Sequence, residues 1–314
     1  MVTIDLTAPP PVATTFLDQM SRRLALTLPE LRLVAELAGN APLPFDVREA
    51  SGASPEVPGS RGGLSDRLGQ SRGSLEDSAY AEALGTLHDP RESLERRGLL
   101  GADGADPGIV GAVGLLATPT LALDIDIAAG ATQVKAWHRH SGGAVASLST
   151  CDGIVFELAW FPVAQWTTEL ARVTEVPEDL PVSTSHVPAS LDVPYALADA
   201  VGEALRSGRS DLVPVLLQHT DGDVLADGEP VDAAVAASAV SAVHTESRGR
   251  LRMLAAEVSE RTTTSVGVVS WVLLRDGWHS LTPRHDDGAR VAVELVDPDD
   301  LAHALAPVLA QVIA

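Results

Sequence analysis

The apolar positions change period along this chain, and each change marks an element. "RLALTLPELRLVAELAG" starts as a short alternation and then sets Leu28, Leu31, Val34, Ala35 and Ala38 at helical spacing, which predicts a helix over about 28–38. Thr27 and Glu30 fit a capping box that opens it, and Gly39 closes it. Residues 49–75 are rich in Gly, Ser and Pro without a period, the composition of a flexible loop. Helical spacing returns from Glu76 to Gly98, interrupted at Pro90, and Asp106-Pro107 opens another helix to about Ala117.

The period then shortens to two. "TLALDIDI", "TQVKAWHRH", "AVASLST" and "IVFELAW" read as four strands joined by Ala-Gly, Ser-Gly-Gly and Cys-Asp-Gly turns, and "PVAQWTTELARV" closes the unit with a helix. The second half follows the same plan. "STSHVPASL" leads into the helix "VPYALADAVGEALRSG", two more helical stretches follow at about 210–219 and 231–245, and a second meander ends in the helix "DPDDLAHALAPVLAQVI". "SVGVVSWVLL" is apolar on both alternations, which predicts a strand covered on both faces. The two closing segments also align, Glu157-Leu158 with Glu294-Leu295 and Pro162 near Pro298. The expected fold is therefore α+β: one domain of two similar, pseudo-twofold halves, about 1–180 and 181–314, with a central, mostly antiparallel sheet and helical bundles.

Composition narrows the partners. With 43 acidic and 22 basic residues the formal charge is −21, which repels phosphate backbones and anionic headgroups, so neither nucleic acid nor membrane is expected as a partner. The opening "MVTIDLTAPPPVATTF" has neither a basic region nor a sustained apolar run, no stretch is long enough to span a bilayer, and one cysteine cannot form an internal disulfide. A cytoplasmic location is the expectation.

Candidate chemistry is sparse. His138 and His140 share a strand face, as two imidazole ligands of zinc would, and "GWHSLTPRH" adds His279 and His285 in the second half. No HExxH, CxxC or acidic residue at ligand spacing completes such a site, which favours ordinary strand-end histidines, with His140 at the end where polar residues stand in solvent. Asp124 and Asp126 could pair for acid-base work, but their alternation with Leu123, Ile125 and Ile127 is that of a half-exposed strand. "HTDGDVLADGE" fails as a calcium loop because Leu225 stands at the fifth position from Asp221. "GLLGADGADPG" follows a helix and lacks the lysine of a phosphate loop. Beside Asp152 the Cys151 thiol is held protonated, a turn residue rather than a nucleophile. Trp137 and Arg139, on the other strand face, are residue types found at binding hot spots, although packing under a helix is the commoner fate of a tryptophan such as Trp137.

The order of "LTLPELRLVAELAGNAPLPFDV", "YAEALGTLHDPRESLERRGLLGADGADPGIVGAVGLLATPTLALDID", the meander with "FPVAQWTTELARV", and then "SVGVVSWVLLRDGWHSL" and "DPDDLAHALAPVLAQV" resembles the EspG family of ESX, or type VII, secretion-associated proteins of actinobacteria. The resemblance runs from about Arg22 to the end and rests on element order and apolar landmarks. It implies a pseudo-twofold fold and a cytosolic chaperone rather than an enzyme, without a cofactor. The client would be a secreted PE/PPE-like heterodimer, or a WXG-type protein, held by its exposed apolar helical tip, with a homodimer of the chaperone as a further assembly to test. By position, Trp137, Arg139, Leu216 and Leu217 are the candidate partner-binding residues. The alternatives are a scaffold or regulatory module on the same fold with an unrelated partner, and a metal-dependent enzyme using His138 and His140.

Overall fold

The computed structural model describes residues 22–45, 88–259, 263–284 and 289–313. The loop expected at 49–75, the first part of the helix expected from Glu76, and His285 lie outside the described residues.

The first half runs β1 (Arg22–Thr27), α1 (Leu28–Leu37), α2 (Pro90–Arg96), β2 (Leu100–Gly101), β3 (Gly104–Ala105), α3 (Pro107–Ala117), β4 (Leu121–Ala129), β5 (Thr132–Ser141), β6 (Ala144–Thr150), β7 (Val155–Pro162) and α4 (Trp166–Val173). The second half repeats that order: β8 (Ser190–Pro194), α5 (Tyr195–Arg206), α6 (Val213–Gln218), β9 (Leu225–Ala226), β10 (Glu229–Pro230), α7 (Ala233–Thr245), β11 (Gly249–Val258), β12 (Thr263–Leu273), β13 (Trp278–Arg284), β14 (Arg290–Val296) and α8 (Asp300–Ile313). The result is an α+β chain built on a large antiparallel sheet.

Pairing repeats as well. The opening strand of each half lies antiparallel to the last strand of its meander, β1 on β7 and β8 on β14. Glu157 faces Ala25 and Ser149 across its neighbours, and Glu294 faces Ser190 and Ser280. Each glutamate takes an arginine, Arg23 at 2.8 Å and Arg284 at 3.0 Å. The aligned Glu-Leu pairs thus occupy matching places in the two meanders.

The contacts divide the chain into two compact units, Met1–Ala122 with Ala136–Val163, and Leu123–Lys135 with Ala164–Ala314. In the first, α1 and α3 bury Leu31, Val34, Ile109 and Val113 with Leu26, Leu148, Phe156 and Leu158 of the strands. The capping box forms as read: Thr27 Oγ1 accepts from the Glu30 backbone N–H, and Glu30 Oε2 accepts from the Thr27 N–H at 2.8 Å. Glu30 also receives Arg97 at 3.2 Å, so this helix start is tied to the segment after α2. Thr27→Ala is expected to cost about 1 kcal/mol of stability, read as a lower urea midpoint, because one helix N–H loses its acceptor.

In the second unit the strand order is β11-β12-β13-β14-β8-β9-β10. Helices α5, α6 and α7 cover Val272, Val293 and Leu191, with Leu197, Val201, Val213, Ala239 and Val240 between them. α5 and α7 approach closely at Gly202, where an added Cβ would stand 2.6 Å from Cε1 of His244. The His244 Nε2–H donates to the Ala198 carbonyl at 3.0 Å. Desolvation holds this imidazole below the usual 6.5, with Arg206 adding to that effect and Asp199 and the Ala198 bond opposing it. Burial lowers His140 in the same direction. A histidine kept neutral by folding binds fewer protons than in the unfolded chain, so its contribution is complete above 6.5 and is lost as pH falls through the lower folded value. Unfolding midpoints should therefore drop from about pH 7.5 to about pH 5.5, and His244→Gln should flatten that slope.

Two features escaped the sequence reading. "GLLGADGADPG" and "DGDVLADGE" each make a two-residue antiparallel hairpin, β2–β3 and β9–β10. In the second, Asp227 and Gly228 both have positive φ, 51° and 87°, the pattern of a tight hairpin turn. In the first stretch Gly101 and Gly104 end and open the two short strands, and Gly108 lies in α3.

Candidate binding face

Strand β11 alternates cleanly at its start. Leu251, Met253 and Ala255 point into the core, while Arg250, Arg252 and Leu254 point outward. Its register with β12 sets Arg252 against Ser270 and Leu254 against Val268. Beyond this pair the register shifts at Ala255/Ala256, and both alanines are buried. Leu254 and Val268 remain 37% and 52% exposed. A direct cross-strand apolar pair usually supports the sheet by a few tenths of a kcal/mol to about 1 kcal/mol, yet this one leaves apolar surface in water. Here the expectation of a strand covered on both faces is corrected. β12 is buried through Trp271, Val272 and Leu273 but open at Val268, because the helices that cover Val272 do not cover Val268.

The residues singled out from sequence fall elsewhere. Trp137 is half-buried, packed on Phe45 with ring centroids 5.1 Å apart, and belongs to the core of the first unit. Arg139 is 7% exposed and its Nη1 donates to the His138 carbonyl at 3.2 Å. Leu216 and Leu217 pack partly against the core of the second unit, and the apolar residue of α6 that faces water is Val215.

Of the strand-end histidines, the first is enclosed. His138 is 2% exposed, edge-on to Phe161, because its side of the strand is covered. His279 is fully buried, with Nε2 3.0 Å from Asp276 Oδ1. Among the described residues no three His, Cys, Asp or Glu side chains gather as metal ligands would.

Asp124 and Asp126 are exposed between buried Leu123, Ile125 and Ile127, as the alternation implied. Asp152 caps its turn, accepting from the backbone N–H groups of Ile154 and Val155 at 2.8 and 3.0 Å. Desolvation, then Asp152 and Glu157, push the Cys151 thiol upward, which makes it a poor nucleophile at neutral pH. A cleft of about 310 Å³ in the first unit is lined by Arg22, Arg23, Leu24, Leu99, Asp106 and Trp160. Its Asp106 is occupied in capping α3 and in an ion pair with Arg22.

No family model matches this sequence, and no curated protein does. A solved structure does. The fold is similar to that of EspG5. The match is to the structure of the Mycobacterium tuberculosis type VII secretion system chaperone EspG5 in complex with the PE25–PPE41 dimer, at a TM-score of 0.58 and 10% identity, covering 92% of this chain and 96% of that one. The likeness spans both halves and is one of architecture. No described helix is long and apolar enough to cross a membrane.

Proposed function

We propose that this chain is a cytosolic chaperone of a type VII secretion system. It binds a secreted PE/PPE-like heterodimer, or a related helical client, through an exposed apolar helical tip, keeps that client soluble and directs it to export. The reading is non-enzymatic and involves no cofactor, and the chain acts as one domain of two similar halves. The observation that carries it is the likeness to a secretion chaperone over nearly the whole of both chains. The wetted Leu254–Val268 pair supports it, since an uncovered apolar spot on a rigid sheet can seat the tip of a helix.

In this reading binding falls on β11 and β12, while Trp137, Arg139, Leu216 and Leu217 are packed wholly or partly within the two units. Co-expression with the small helical proteins encoded beside its gene should give a stable one-to-one complex on size exclusion, and the mass of the chain alone decides whether it is a homodimer. Failure with every such neighbour would sink the assignment.

A further inference from the structure

We propose that the β11 face selects its client by charge as well as by apolar contact, with Arg250 and Arg252 receiving carboxylates that flank the client's apolar tip. This rests on the chaperone reading above.

In a chain with 43 acidic and 22 basic residues, an arginine readily finds an acid. Arg97, Arg206, Arg209, Arg284 and Arg290 of this protein each hold one. Arg250 and Arg252, like Arg32, Arg91 and Arg96, hold none among the described residues. Both are exposed, and neither guanidinium has a hydrogen bond or ion pair among the described residues. They stand two residues apart on the strand that carries Leu254, so all three project from one face at a spacing of about 7 Å.

A helix tip seated on Leu254 and Val268 would carry the residues one turn back, about 5.4 Å away, toward the arginines. Carboxylates at those positions gain charge-assisted hydrogen bonds, and planar guanidinium groups suit them in pairs. The neighbouring β4 bears exposed Asp124 and Asp126 and is joined to the start of β11 by the Gly130 N–H on the Arg248 carbonyl at 2.9 Å. Complementarity between guanidinium and carboxylate acts on partner choice and register more than on raw affinity.

Two synthetic helical hairpins with the same apolar tip test this, one with glutamates and the other with lysines a turn from the tip, titrated by fluorescence anisotropy into the full chain. The net charge of −21 taken alone favours the lysine peptide. The expected result is the opposite: the glutamate peptide binds about tenfold tighter in about 50 mM salt, the gap narrows in about 500 mM, and the double variant Arg250→Glu, Arg252→Glu reverses the order. Equal binding, tighter lysine binding, or an order unchanged in the variant overturns the proposal while leaving the chaperone reading in place. So does a chain that binds neither peptide yet still forms a complex with a neighbouring gene product. Absence of both kinds of complex removes the chaperone reading and this proposal together.

Discussion

Trp278→Ala should lower the stability of the second unit by about 3–5 kcal/mol, the range for emptying the space of a buried aromatic side chain. Trp278 is 1% exposed, lies tilted against Trp271 with centroids 6.3 Å apart, and stands in register between Leu273 and Val296. Its indole N–H donates to the carbonyl of Thr174 at 2.8 Å, and Thr174 ends α4. One side chain therefore fills the sheet face and satisfies a helix terminus. A domain is stable by only about 5–15 kcal/mol, so the alanine variant should lose a large part of its margin. Trp278→Phe separates the two effects, since it keeps much of the apolar area and leaves the Thr174 carbonyl without its donor, for about 1–2 kcal/mol. Urea midpoints with unchanged slopes would report this order. A loss in the alanine variant smaller than in the phenylalanine variant would show that packing is not the main contribution of this residue.

The repeated architecture was legible in the sequence because local rules wrote most of it. The capping box at Thr27 and Glu30, the alternation of "LDIDI" and the paired Glu-Leu segments of β7 and β14 each depend on neighbours a few residues away, and each appears in place. The hairpins β2–β3 and β9–β10 were hidden because two-residue strands carry no period. Asp227-Gly228 was nonetheless a usable turn signal, as its two positive φ angles show.

The proposed binding face was not legible, and the reason is tertiary. Burial of a strand depends on which helices lie over it, and sequence alone does not say where a helix stops covering. Val268 and Val272 look alike in "SVGVVSWVLL", yet one is half in water and the other lies under α5, α6 and α7. Trp137 and Arg139 show the other side of the same ambiguity. Residue types common at interfaces are also common in cores, and here Phe45 and the His138 carbonyl occupy them. The signal that could have pointed to the proposed face is the run "RLRML", whose outward positions place two arginines ahead of a leucine.

Replacing Leu254 and Val268 together by aspartate should abolish the client complex, a loss of at least about 100-fold in affinity, while the chain still folds. Both side chains already meet water at 37% and 52% exposure, so aspartate there does not bury a charge in the free protein. In the complex the same carboxylates would be enclosed against an apolar tip without a partner, which costs several kcal/mol, and each 1.4 kcal/mol is tenfold in affinity. The two substitutions face each other across the ladder, so their repulsion should lower stability by only about 1 kcal/mol in the free chain. The comparison that decides is Val215→Asp on α6, where a valine of similar exposure, 46%, lies outside the proposed face. Size exclusion of co-expressed chains should show the complex kept by Val215→Asp and lost by the β11–β12 pair. The reverse outcome would move the binding site to the helical side of the second unit, next to Leu216 and Leu217.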